Sequence, residues 1–338
     1  MITYDIFLIF IIFLFTLFFL RVYKTISSKL KFIDIPDSLN VHKSIVPTGA
    51  GIVFFIIFLF FCEYLINSQI IKINLPKNYY FFLSSLAFVT LMSFYDDLKK
   101  IHPVIRLFFQ ITIFFFSTSL FDIGTVGIPV KLSIFLIIYF WVYTINIINF
   151  TDGTDGFLTI NALNFFLCVF LFYYLNAQEN FIYLICLICI PVLIGYLLFN
   201  KPPASLFMGD AGSIFIGFLI GYISIQLIII KRADIVISLL SYTYIDCTLT
   251  IIKKTLKRQA PWARLFDYYF LIPIKNKQTH KTVFNANILY NLAIFGVVTL
   301  QILFDLKLLC VLSLFLSLIL IYYFKSFSKN SYHTRSFL

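Results

Sequence analysis

Charge is scarce in this sequence. Asp, Glu, Lys and Arg together fill 12% of 338 positions, against about 25% in soluble globular chains. With 61% hydrophobic residues and a mean hydropathy of +0.97, that shortage excludes a soluble domain and leaves a polytopic helical membrane protein. The cysteines point to packing as well. Cys62, Cys168, Cys186, Cys189, Cys247 and Cys310 lie in or beside apolar runs. The C-x-x-C at Cys186 and Cys189 sits inside an apolar helix with no polar setting for metal or redox work, so packing is its reading. The first apolar run lacks a small-residue cleavage site and a basic leader region, and is expected to stay as a helix. Repeated halves are missing too, which weighs against a secondary transporter. The net charge of +11 does not point to nucleic acid, because in membrane proteins a surplus of Lys and Arg marks the cytoplasmic side.

Apolar runs long enough to cross a core of about 30 Å fall at 4–23, 49–67, 79–95, 104–121, 131–148, 157–175, 180–199, 212–230, 234–252, 286–304 and 306–324. The spacing predicts eleven spans, with Asp305 and Lys307 marking the turn between the last two. One transmembrane domain is expected over 1–325, with a short tail over 326–338. An outside N-terminus puts 20 of the 26 basic residues on the cytoplasmic face, the bias that sets orientation. The connections rich in chemistry then share that face: 34–51, 96–97, 146–156, 200–213 and 246–280. The opposite loops are short and poor in functional groups.

The central stretch runs Asn146-Ile-Ile-Asn149-Phe-Thr-Asp152-Gly153-Thr-Asp155-Gly156 between two apolar runs. Burying two amides and two carboxylates at a membrane boundary is costly. If a helix starts here, Asp152 and Asp155 share a face and suit a hard cation or a sugar nucleotide. A polar loop with an Asp cap is the plainer reading, and the doubled Asp-Gly favours the ligand. Asp96-Asp97 closes the third span. It is either a solvated helix end balanced by Lys99 and Lys100, or a site for a divalent cation or a general base. Gly209-Asp210-Ala211-Gly212-Ser213 opens the eighth span after Pro202 and Pro203 stop the seventh. Its backbone donors form a ready anion site, with Asp210 placed to hold Mg²⁺ against a phosphate, or else a glycine-rich helix start with an Asp cap. His42 lies in a basic loop. Asp246 is a costly carboxylate in the ninth span, for which Lys253 or Arg264 is the expected partner unless it serves the site. The basic 253–285 loop reads at its plainest as anchoring to anionic lipid.

In order along nearly the whole chain stand Asp34-x-Pro36 with His42, Pro47 and Gly49; Asp96-Asp97 with Arg106-Leu107-x-x-Gln110; Asn146-x-x-Asn149-x-x-Asp152-Gly153-x-Asp155-Gly156; Asn200-x-x-Pro203-Ala204-x-x-Phe207-Met208-Gly209-Asp210-x-Gly212-Ser213; and Asp246-x-Thr248. This series resembles the bacterial polyprenyl-phosphate N-acetylhexosamine-1-phosphate transferases. The resemblance implies an inner-membrane enzyme that moves a sugar 1-phosphate from a UDP-N-acetylhexosamine to undecaprenyl phosphate, releasing UMP, with Mg²⁺ or in its place Mn²⁺. It implies Asp210 as metal ligand and Asp96 and Asp97 serving the metal or the lipid phosphate. Asn149, Asp152 and Asp155 would line the nucleotide site, Asn200 and Phe207 would hold and stack uracil, and His42, Arg264 and Asp246 complete the expected substrate-binding set. The partners are the bilayer and the two substrates, not nucleic acid; a homodimer stays open. The chain departs from the family at Leu39 and Gly49-Ala50, where an Arg and a glycine pair are usual. Phe266 and Tyr268 stand where the family has histidines, with His280 downstream. Arg264, Lys275 or Lys277 is then expected to supply the charge facing the diphosphate, and loss of His280 to be mild. A relative that binds without turnover is the alternative.

Overall fold

A backbone in lipid has no water to pair with, so each apolar run has to satisfy its own N–H and C=O groups as a helix. The computed structural model describes residues 2–36, 45–68, 73, 75–76, 78–260 and 267–328. The described helices are α1 (Ile2–Lys29), α2 (Gly51–Asn67), α3 (Tyr79–Leu98), α4 (Pro103–Ser117), α5 (Val130–Thr151), α6 (Phe157–Leu175), α7 (Phe181–Asn200), α8 (Gly209–Ile229), α9 (Ala233–Leu256), the short α10 (Ile272–Lys275), α11 (His280–Phe304) and α12 (Cys310–Ser326). Among them ten segments are long and apolar enough to cross a membrane. The eleventh expected span is α2, whose 17 residues sit at the short end of what crosses a bilayer. The chain is an all-α polytopic membrane protein.

Helices α7 and α8 are buried along most of their length. Around them α1 and α6 pack on α7, while α2, α3 and α5 pack on α8. Outer helices turn large apolar side chains away from the bundle, as Phe7, Phe108 and Phe315 do. Asp305 in the left-handed region (φ 50) turns α11 into α12, with Arg232 reaching Asp234 at 3.1 Å and Asp305 at 3.7 Å. One boundary differs from the apolar pattern. The tenth span was expected from 286, but α11 starts at His280, because the Thr279 hydroxyl accepts the Thr282 N–H at 3.3 Å and caps it.

Because successive spans reverse direction, the 98–103, 151–157 and 200–209 connections and the described residues between α9 and α11 meet at one end of the bundle. A two-stranded hairpin joins them there, β1 (Ile33–Asp34) antiparallel to β2 (Val46–Pro47). Past β2 the chain pairs with the α7–α8 connection: Phe207 N–H donates to Pro47 O (2.8 Å), Ala50 N–H to Phe207 O (3.1 Å) and Gly51 N–H to Met208 O (2.9 Å). This draws the starts of α2 and α8 together so tightly that a Cβ on Gly51 would lie 1.9 Å from Gly212 N. Ala50, where the family has a glycine, is fully buried in this junction. The close approach falls on Gly51 and Gly212 instead.

Candidate active site at the end of the helix bundle

Two adjacent carboxylates at a helix C-terminus repel each other and the helix dipole. The fold gives each its own partner. Asp96, 3% exposed, accepts the Ile101 N–H at Oδ1 and faces Arg106 Nη1 at 2.5 Å with Oδ2. Arg106 sits one turn into α4, and its Nη1 also lies 2.6 Å from Asp210 Oδ2. Asp97 turns the other way. Its Oδ1 accepts the Asp210 N–H (3.0 Å) and its Oδ2 the Ala211 N–H (3.1 Å). The donors at the start of α8, expected to be open to a substrate anion, are therefore held by the Asp97 carboxylate. This corrects the sequence reading: a helix N-terminus attracts negative charge, and the chain supplies that charge itself. Neither Asp96 nor Asp97 is balanced through Lys99 or Lys100 in an ion pair among the described residues.

The central stretch is not one helical face. Asp152 follows the end of α5, and α6 starts only at Phe157, after Gly156 in the left-handed region (φ 71). The two carboxylates are thus in a turn and take different surroundings. Asp155, buried, accepts the Ala204 N–H at 3.0 Å through Oδ2, while Oδ1 lies 3.3 Å from His280 Nδ1. Asp152 is partly buried, and its backbone N–H goes to Asn149 O at 3.2 Å. Burial, then the charges of Asp210, Asp97 and Asp155, push its pKa up to about 7. Asn149 Oδ1 accepts the Ser213 hydroxyl (3.0 Å), tying α5 to α8, and Asn146 donates to Gln110 Oε1 (2.8 Å), tying α5 to α4.

Asn200 is 3% exposed. Its Oδ1 accepts the Gly156 N–H (3.0 Å) and the Thr159 hydroxyl (2.8 Å), so its carbonyl locks the α7 end to the central turn. Phe207 is held by backbone bonds to Pro47 and Ala50, with a partly exposed ring between buried Leu206 and Met208. Asp246 is fully buried. Among the described residues no cation pairs with it, Arg264 lying outside them: it accepts the Tyr269 N–H (2.9 Å), the Phe270 N–H (3.3 Å), the Tyr242 hydroxyl (2.8 Å) and the Thr250 hydroxyl (3.4 Å). Lys253 bonds Tyr269 Oη instead. Asp246 thereby fixes the 269–271 turn, whose Phe270 stacks on Phe157 at 4.7 Å under the central turn. Asp246→Ala orphans two buried amides, at a cost of about 1–3 kcal/mol each. The expected result is a clearly lowered unfolding temperature in detergent, checked by thermal denaturation. His42 and Arg264 lie outside the described residues. His280, which the sequence set to one side, contacts Thr154 Oγ1 at 2.9 Å.

Comparison with known proteins meets this geometry. The sequence profile of glycosyl transferase family 4 matches residues 79–228, the segment that carries Asp96, Asp97, Arg106, the central turn and Asp210. Over that segment the chain is similar to glycosyl transferase family 4. Among relatives, the phospho-N-acetylmuramoyl-pentapeptide-transferase of Streptococcus uberis is 33% identical over 154 residues, 40% of this chain and 46% of that protein. The proteins of the same name from Streptococcus pneumoniae strain D39 and Sulfurimonas denitrificans are 32% identical over 199 residues (54% and 59% of the two chains) and 26% identical over 285 residues (70% and 78%). The chain spans less than half the length of the first of these relatives.

Phosphate chemistry calls for cationic countercharge, and carboxylates at this end of the bundle could seat it. Arg106 pairs with Asp96 and Asp210, Asp97 holds the backbone N–H groups of residues 210 and 211, and the charges of Asp210 and Asp97 act on Asp152. Carboxylate oxygens suit a hard cation. Among the described residues no three such side chains converge as a ready cage. Mg²⁺ needs no such cage, since it keeps several waters and takes one or two carboxylates with substrate phosphates.

Proposed function

We propose that this chain transfers N-acetylhexosamine 1-phosphate from a UDP-sugar to undecaprenyl phosphate, releasing UMP, as the first membrane step of a cell-envelope glycan. The observation that carries the reading is the Asp96–Arg106–Asp210 chain beside Asp97, built from three helices at one end of the bundle. Phosphoryl transfer between two anionic substrates depends on positioning and countercharge more than on covalent chemistry. A site at helix ends lets a lipid phosphate stay in its leaflet while a soluble nucleotide enters from water.

In this reading Asp210 is the residue that would hold Mg²⁺, whose chemistry is to neutralise phosphoryl oxygens and polarise the reacting phosphorus. Arg106, fixed by Asp96, offers further guanidinium donors to phosphate oxygens. Asp152, with a pKa near neutrality, takes the proton from the lipid phosphate hydroxyl. An oxygen of the lipid phosphate then bonds to the β-phosphorus of the UDP-sugar, and the bond between that phosphorus and the bridging oxygen breaks, leaving UMP. Phe207 stacks the uracil, and Asn149 and Asn200 keep the flanking turns in place around it. The orientation that serves this chemistry puts the site and the C-terminus in the cytoplasm of a bacterial plasma membrane and the N-terminus outside.

The test is UMP release from a panel of UDP-sugars with undecaprenyl phosphate. Release from at least one UDP-N-acetylhexosamine, lost on chelation and restored by Mg²⁺, is expected. A binding-only relative is the second reading, favoured by Tyr268, which is buried against Lys254 and Phe270 where the family has a histidine. It predicts nucleotide binding without UMP release from any donor.

A further inference from the structure

The early start of α11 carries an imidazole out of the helix seam and onto the turn between α5 and α6. His280 Nδ1 lies 2.9 Å from Thr154 Oγ1, 3.3 Å from the Asp155 backbone N and 3.3 Å from Asp155 Oδ1. One ring nitrogen thus faces a hydroxyl, an amide and a carboxylate oxygen from two adjacent residues, both buried. With the proton on Nε2, Nδ1 accepts from the Asp155 N–H, a donor that a buried turn has to satisfy.

The same turn is tied elsewhere by other elements. Asn200 takes the Gly156 N–H, Asp155 Oδ2 takes the Ala204 N–H, and Phe270 closes on Gly153, where a Cβ would meet its ring at 3.2 Å. From α11 come the His280 contact, the Phe284 ring against Gly156, where a Cβ would lie 2.5 Å away, and Asn287 Nδ2, which donates to Phe157 O at 3.0 Å; of these His280 alone reaches Thr154 and Asp155 by hydrogen bonds among the described residues. Asp152 needs these ties. Among the described residues its carboxylate accepts no hydrogen bond, and its backbone N–H reaches only back to Asn149 O. Its side chain, within reach of the charges of Asp210 and Asp97, depends for its place on the turn that follows it.

We propose that His280 is a positioning residue: through Thr154 and Asp155 it holds the 152–156 turn and so sets where the Asp152 carboxylate stands relative to Asp210. What Asp152 then does rests on the transferase reading; how the turn is held does not. This reverses the expectation that loss of His280 is mild.

The experiment uses the full chain in detergent and two readouts, amide hydrogen exchange across 149–156 and steady-state UMP release. His280→Ala is expected to speed exchange at Asp155 and Gly156 about tenfold, one hydrogen bond's worth of local stability. It is expected to lower kcat about tenfold with KM for the UDP-sugar nearly unchanged, as for a displaced catalytic group. His280→Asn places an amide close to the Nδ1 position. It should recover most of both effects, and it keeps the test alive if the Ala variant does not fold. Unchanged exchange in His280→Ala overturns the proposal. So does a fall in kcat with exchange unchanged, because the imidazole would then be acting on substrate itself. If no form, the parent included, releases UMP, the transferase reading fails while the exchange comparison still decides how the turn is held.

Discussion

Asp210→Asn is expected to lower UMP release at least about a hundredfold, in the range seen when one preorganised electrostatic group is lost from an active site, while the protein still folds. The argument is local. Asp210 Oδ2 shares Arg106 with Asp96, and its other oxygen accepts no hydrogen bond among the described residues. The substitution removes a charge from the proposed metal site and weakens the Arg106 pairing between α4 and α8, but spares the backbone bonds of α8. The bonds that seat α8 on α3 run from the backbone N–H groups of residues 210 and 211 to Asp97, and Asn keeps both. Raising Mg²⁺ should recover little activity. A variant that keeps near-parental activity at low Mg²⁺ shows that Asp210 is not the metal ligand.

Arg106→Ala is expected to damage both stability and activity. It strips the shared cation from Asp96, which is buried, and from Asp210, whose backbone N–H is held by Asp97. Breaking a buried ion pair by removing one partner costs about 3–5 kcal/mol. With the Arg106 side chain 18% exposed, the lower part of that range or less is appropriate. Arg106→Lys keeps the charge but must bridge two carboxylates with a point ammonium in place of a planar fork, so it should fall between Ala and the parent. Arg106→Ala combined with Asp96→Asn should regain stability, because the buried charge goes with its partner, and should regain no activity. Thermal unfolding beside UMP release separates these effects. Recovery of turnover in the double variant contradicts a role for Arg106 toward phosphate.

The spans were legible because lipid enforces one solution on an apolar run. Ten helices match expected runs with only their ends displaced, and α2 matches the eleventh. Legible too was the gathering of Asp96, Asp97, the central turn and Asp210 at one end, since alternating spans must bring those connections together. The pairings across that end were not. Asp97 reaching the α8 amides and Asp246 reaching the amides of Tyr269 and Phe270 are bonds to backbone, which has no sequence signature. A lysine or arginine was sought for Asp246 because side-chain charge is what a sequence displays. Asp152 and Asp155 were placed on one helix face by their spacing, whereas Gly156 at φ 71 delays α6 and lets them diverge. His280 could have been found. Thr279 is a recognisable N-cap, but the eye follows the apolar run to 286 and leaves the first turn of α11 among the loop residues.

The most direct measurement follows the β-phosphorus. UDP-N-acetylhexosamine labelled at that phosphorus is incubated with undecaprenyl phosphate, Mg²⁺ and the purified chain, and the label is partitioned between water and organic solvent. Sugar 1-phosphate transfer predicts label in the lipid phase in step with UMP in water, and neither in Asp210→Asn. Label that stays in water while the sugar reaches the lipid, or a donor panel in which none moves, contradicts the account.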